Sequence, residues 1–153
     1  MSTFTNKKFV LTKFPEGDNI KDSFTLESES IDNVPEGKIV VKTVYLSLDP
    51  AMRIWMSGKP SYREPVKLGD AMEGGGIGIV VKSNSEKFKE GDFVAGMLGW
   101  QTFPLLSENA VYSISDLSPI YINELGHIGQ TAYWGIIDKG HIKKGDQVFV
   151  SAA

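Results

Sequence analysis

Few residues in this sequence could do chemistry alone, and their types and spacing narrow what that chemistry is. The 153 residues include no cysteine, so thiolate nucleophiles, disulfides and sulfur-liganded zinc are excluded. A catalytic zinc usually takes three protein ligands, mostly His or Cys. The two histidines, His127 and His141, lack the i, i+4 spacing of a helical metal pair and are expected to be polar groups at helix boundaries. No Gly-x-Ser-x-Gly elbow occurs among the serines. That leaves hydrogen-bond donors. A tyrosine hydroxyl can donate to an oxygen on which negative charge develops. Of Tyr45, Tyr62, Tyr112, Tyr121 and Tyr133, Tyr62 stands in a loop between Pro60 and Pro65, where ligands are commonly met. Its bland alternative is a half-buried packing group with the hydroxyl at the edge. Asp49 and Arg53 have the spacing of an ion pair across one helical turn.

The run Glu73-Gly74-Gly75-Gly76-Ile77-Gly78 has the glycine content of a phosphate loop. A dinucleotide fingerprint, however, needs strand, glycines and then helix, because the pyrophosphate sits on helix N-terminal amides. Here the glycines lead into Ile79-Val80-Val81, another strand. The expectation is a bend, a bulge or the close approach of another group within a sheet.

The elements that must position these residues are mostly short strands. Residues 8–13 and 24–30 are candidate strands, and residues 38–48 carry the longest β signal, rich in Ile39, Val40, Val41 and Val44. Pro50 ends that strand and sits near the first position of a helical turn over 51–56. Lys89-Glu90-Gly91-Asp92 and Lys143-Lys144-Gly145-Asp146 both read as tight turns that start strands. Asp116 or Ser118 is expected to cap a short helix over 119–125. A second helix is expected over 129–139, with Ile128, Ala132, Trp134, Ile136 and Ile137 as its apolar surface and Gly140 as its stop. A final apolar strand follows, with no evident partner.

Composition sets outer bounds. Hydrophobic residues make up 41% and charged residues 23%, ordinary for a globular chain. Sixteen basic against nineteen acidic residues leave a net charge of −3, which gives no support to a nucleic-acid-binding surface. No apolar run approaches the roughly 18–20 residues of a membrane span, so no membrane partner is expected. The two lysines near the N-terminus are not followed by the apolar stretch of a signal peptide. A cytoplasmic location is expected.

Three segments, in register, carry a resemblance. Leu46-Ser47-Leu48-Asp49-Pro50-Ala51-Met52-Arg53 resembles the Leu-Ser-x-Asp-Pro-x-Met-Arg segment of the zinc-independent medium-chain dehydrogenase/reductases. The similarity is to the subgroup of prostaglandin reductases, 2-alkenal reductases and curcumin-reductase-like proteins. Gly91-Asp92-Phe93-Val94 through Gly99-Trp100, and Gly129-Gln130-Thr131-Ala132-Tyr133-Trp134-Gly135, are similar to two further segments of that subgroup. The resemblance implies a mainly β fold. Residues 1–125 would form a GroES-like, partly open β-barrel as the N-terminal catalytic domain. Residues 126–153 would form the linking helix and first strand of a Rossmann domain whose phosphate turn is absent from the sequence.

The activity implied is NADPH-dependent reduction of the C=C bond of α,β-unsaturated ketones or aldehydes without zinc. In the family a hydride adds to the β-carbon and negative charge collects on the carbonyl oxygen. By analogy Asp49 and Pro50 lie beside the nicotinamide, Thr131 faces its ring, and Ser151, Ala152 and Ala153 lead toward the phosphates. Several relatives have a tyrosine at the position of Ala51, so Tyr62 is expected to be the substituted carbonyl donor. Ala51, Met52, Trp55 and Trp100 are expected to line an apolar substrate wall, with core packing as the alternative for Met52, Trp55 and Trp100. The 153 residues alone are expected to be inactive and to bind NADPH weakly or not at all, and the full-length protein to be a homodimer acting on a small-molecule enone. Two alternatives stay open: a quinone oxidoreductase, and a non-enzymatic GroES-like binding module.

Overall fold

The structure, a computed structural model, describes residues 3–151. Seven strands dominate: β1 (Phe4–Leu11), β2 (Phe24–Ile31), β3 (Lys38–Leu46), β4 (Gly75–Asn84), β5 (Phe93–Met97), β6 (Leu105–Ser107) and β7 (Val111–Ser113). Strands β1 and β2 form an antiparallel hairpin, and the other five form a sheet in the order β6-β3-β4-β5-β7. Bridges from Lys8 to Gln101 and from Val10 to Ala71 tie the hairpin to the loops of the larger sheet. The result is the mainly β, partly open half-barrel that the resemblance implies. Among the described residues no helix is long and apolar enough to cross a membrane.

Curvature comes from β3 and β4. The β3–β4 register slips between Val40 and Val41 and again between Thr43 and Tyr45, and such bulges bend a strand and increase its twist. The glycines of β4 allow the close approach this needs. A Cβ on Gly76 would lie 2.8 Å from the Tyr45 carbonyl oxygen, and one on Gly78 only 2.4 Å from that of Lys42. The glycine run is thus a sheet feature and not a phosphate loop.

Two apolar clusters result. One joins Ile39, Val41, Val80, Phe88, Val94, Leu98 and Val111 inside the sheet. The other gathers Leu11, Met56, Val66 and Met72 around the short helix α1 (Met52–Trp55). Full burial of each such side chain stabilises by about 1.5–3 kcal/mol.

Strand β1 begins earlier than the 8–13 expected because Asn6, polar by type, is fully buried. Its amide donates to Glu29 at 3.0 Å and to Gln101 at 2.9 Å, and its carbonyl oxygen accepts from the Phe103 backbone at 2.9 Å. Hydrogen bonds from Lys8 and from Asn6 hold the Glu29 carboxyl below its ordinary range. A carboxyl held low in the folded state contributes stability above its unfolded pKa, and that stability is lost as pH falls through the folded value. Urea unfolding at neutral pH is therefore expected to show Asn6→Ala destabilised by about 1–3 kcal/mol, since buried partners lose their bonds. Glu29→Gln is expected to flatten the acid side of the stability profile.

The last quarter departs from expectation in several places. Ser118 does cap a turn, accepting from the Ile120 amide, but the turn spans only Pro119–Tyr121. The second helix starts at His127: α2 (His127–Tyr133) continues as a π-helical turn over Trp134–Lys139. Its apolar residues Ile128, Trp134 and Ile137 are exposed and not packed. Gly140 does not stop it in a left-handed conformation; His141, at φ 48°, takes that geometry one residue later. Both Gly-Asp turns form alike. Gly91 and Gly145 have φ 96° and 99°, and Asp92 and Asp146 each accept from a lysine amide at 2.7 Å. Only the first turn starts a strand. Residues 147–150 form none, because no described strand offers them a hydrogen-bonding edge, and Phe149 is 90% exposed.

Candidate functional site

The site begins where β3 leaves the sheet. After Leu46 the Ser47 amide still donates to the Gly75 carbonyl oxygen at 2.8 Å. The chain then turns at Asp49-Pro50, and the Met52 and Arg53 amides donate to the Asp49 and Pro50 carbonyls, each at 3.0 Å. Proline here ends the ladder and starts α1 in one move.

The expected Asp49–Arg53 ion pair does not form. The Arg53 guanidinium instead donates to the Gly17 carbonyl at 2.7 Å, bracing the loop after β1 against α1. A loop carbonyl far away in sequence outcompetes a carboxylate one turn away.

Behind this corner lies a cleft of about 340 Å³. One wall is β-sheet: Ser47, Gly75 and Gly76, then Ala95, Gly96 and Met97. The other is the C-terminal segment, with Tyr121, Gly126, His127 and Gln130. Glycine is what makes the sheet wall bare. A Cβ on Gly75 would meet nothing nearer than the Ser47 Cβ at 3.9 Å, so the position has room for a group that lies flat on the backbone. Tyr121 is held by a 2.5 Å hydrogen bond between its hydroxyl and that of Ser115.

The expected site residues fall into two sets. Ala51, Met52, Trp55 and Trp100 do come together, but as core: Met52 and Trp55 are buried in the α1 cluster, with Ala51 and Trp100 packed against it. None of the four lines the cleft: α1 turns Met52 and Trp55 inward, and Ala51 and Trp100 pack against them. Trp100 instead walls a separate apolar groove of about 450 Å³ with Phe9, Leu26, Leu46 and Leu48. Tyr62 is 70% exposed outside the cleft and accepts a 2.5 Å hydrogen bond from the Trp55 indole. The adjoining Arg63 pairs with Glu73, two residues before Gly75, so the Tyr62 loop is fastened beside the cleft wall.

Asp49 is half-buried and Pro50 exposed at the corner. Thr131 is exposed on α2, and its hydroxyl donates to the His127 carbonyl at 2.7 Å. Ser151 is exposed, and Ala152 and Ala153 lie outside the described residues. Sequence reasoning missed Ser47, Tyr121, His127 and Gln130 as cleft residues. Ser47 and Gln130 sit inside the quoted motifs, which was the available signal. Nothing local marks Tyr121 or His127. Among the described residues no three His, Cys, Asp or Glu side chains converge as a metal site.

A family profile described as the N-terminal domain of oxidoreductase matches residues 7–114. The chain is 39% identical over 151 residues to an NADPH-dependent curcumin reductase of Escherichia coli, covering 97% of this chain and 44% of that protein. It is 36% identical over 157 residues to a 2-alkenal reductase (NADP(+)-dependent) of Nicotiana tabacum, covering 97% and 46%. The crystal structure of CurA in complex with NADPH from Vibrio vulnificus superimposes with a TM-score of 0.81 at 34% identity, covering 92% of this chain and 42% of that one. The chain thus spans under half the length of the relatives it matches.

Proposed function

Because the chain belongs to the medium-chain dehydrogenase/reductase family, in the subgroup of curcumin, 2-alkenal and prostaglandin reductases, we propose that it forms the substrate-side domain of an NADPH-dependent reductase of α,β-unsaturated ketones or aldehydes. The observation that carries this reading is the bare glycine wall at Gly75, set beside the Ser47–Pro50 corner and faced by Gln130.

A nicotinamide, which is flat, is proposed to lie against that wall, where a Cβ at Gly75 would meet only the Ser47 Cβ at 3.9 Å. Ser47 and Gln130, which line the cleft, offer a hydroxyl and an amide to a carboxamide group; Asp49, Pro50 and Thr131 are proposed to stand at its margins. The bound cofactor supplies the hydride. The chain's own task is to hold the substrate and stabilise the oxygen that becomes negative once the β-carbon is reduced. The Tyr62 hydroxyl is the proposed donor to that oxygen. The groove walled by Leu48 and Trp100 takes the apolar remainder of the substrate. A proton taken from solvent at the α-carbon completes the saturated ketone or aldehyde. No zinc is assigned a step, because hydrogen-bond donors can carry the developing charge.

The phosphate end has no such support within these residues, since the only glycine run leads into a strand. The test is enone reduction with NADPH by the protein that carries this chain. Saturation of the C=C bond is expected. Reduction of quinones alone, or of the carbonyl to an alcohol, would overturn the reading.

A further inference from the structure

The hydroxyl of Tyr62 has a partner that fixes its polarity. We propose that Trp55 and Arg63 are positioning residues that hold Tyr62 as a hydrogen-bond donor toward a substrate oxygen, an inference that rests on the role of Tyr62 in the reading above. An indole nitrogen can only donate. In the 2.5 Å contact between Trp55 Nε1 and the Tyr62 hydroxyl, the phenol oxygen is therefore the acceptor. The hydrogen of the phenol is left over, and among the described residues it meets no acceptor. With Tyr62 70% exposed, that hydrogen is available to a ligand.

Trp55 is the fixed half of the pair. It is 7% exposed, packed in the α1 cluster, and its carbonyl accepts from the Val66 amide at 2.8 Å. The loop carrying Tyr62 is thus closed onto the same residue that orients its hydroxyl. Arg63 completes the clamp: its guanidinium lies over the Trp55 ring, 4.5 Å from the centroid, and pairs with Glu73. The pair is partly exposed, so its own contribution to stability is small. Its geometric consequence is larger, because Glu73 leads directly into the glycine strand of the cleft.

A phenol that accepts a hydrogen bond donates a stronger one, since hydrogen bonds in a chain polarise each other. That donation gains most when the carbonyl oxygen becomes negative, so the arrangement favours the transition state over the bound substrate. Tyr62 makes and breaks no covalent bond in this step.

The test is a double-mutant cycle on enone turnover with NADPH by the protein that carries this chain. Tyr62→Phe removes the donor, and Trp55→Phe keeps a ring in place but drops its N–H. Tyr62→Phe is expected to lower kcat on the order of 10²-fold, as for loss of an oxyanion donor. Trp55→Phe is expected to lower it about 10-fold alone and not at all in the Tyr62→Phe background, with KM held within about 2-fold. Effects that simply multiply would overturn the proposal. A second measurement reads the contact itself. The three tryptophans give three indole N–H resonances in the ¹⁵N-labelled chain. Tyr62→Phe is expected to shift that of Trp55 only, and an unmoved Trp55 resonance would overturn the proposal whatever the turnover. A shifted resonance in a protein that reduces no enone would uphold the pairing and sink the reductase reading instead.

Discussion

Gly78→Ala is expected to destabilise the domain by about 3 kcal/mol, the upper range for overpacking a filled site. The added methyl would stand 2.4 Å from the Lys42 carbonyl oxygen and 2.6 Å from Val41 Cγ1. Neither can yield cheaply. Lys42 is paired in the β3–β4 ladder, and Val41 is fully buried in the sheet cluster. Relief would require opening the central pair of the sheet, on which β5 and β6 also depend. In a thermal melt the loss corresponds to a Tm lower by roughly 10 °C. A melt unchanged within error would show that β3 and β4 do not approach as described.

Three residues earlier in the same strand, Gly75→Val is expected to leave the melt nearly unchanged and to remove activity. Here the new Cβ meets only the Ser47 Cβ at 3.9 Å, and valine suits a strand. The backbone bond from the Ser47 amide to the Gly75 carbonyl needs no side chain and would persist. The isopropyl group would instead fill the cleft where the nicotinamide is proposed to lie. Each carbon placed wrongly in a fitted pocket is worth about 1–3 kcal/mol, so turnover is expected to fall on the order of 10³-fold. Full activity in a stable Gly75→Val variant would move the cofactor away from this wall. The contrast between the two glycines separates the fold from the site within one strand.

What could be read from the sequence was what local chemistry dictates. Ile39, Val40 and Val41 announced β3, Pro50 announced the corner and α1, and glycines entering Ile79-Val80 announced a bent strand and no phosphate loop. Gly91-Asp92 and Gly145-Asp146 announced two turns that form the same way. Harder to read were features decided by distant partners. Asn6 is a poor strand residue by type, yet it belongs to β1 because Glu29, Gln101 and Phe103 satisfy it. Arg53 leaves Asp49 for a carbonyl in the loop after β1. Val148-Phe149-Val150 has strand composition but no strand beside it. The site followed the same rule. Asp49, Pro50 and Thr131 stand out only through the motifs they sit in, and none of them lines the cleft. Met52 and Trp55 pack in the α1 cluster, and in the sequence an apolar side chain looks alike whether it meets a ligand or a core. Tyr121 and His127 join the cleft only because the segment from Pro119 to Gln130 lines it opposite Gly75 and Gly96.

On the proposed reading, this cleft serves hydride addition to an enone at its β-carbon. The direct measurement is reduction of an α,β-unsaturated ketone with NADPH carrying deuterium at the transferable position, with the product read by NMR. Deuterium at the β-carbon, a solvent-derived hydrogen at the α-carbon and an intact carbonyl are expected. Deuterium on the carbonyl carbon of an allylic alcohol would contradict the account.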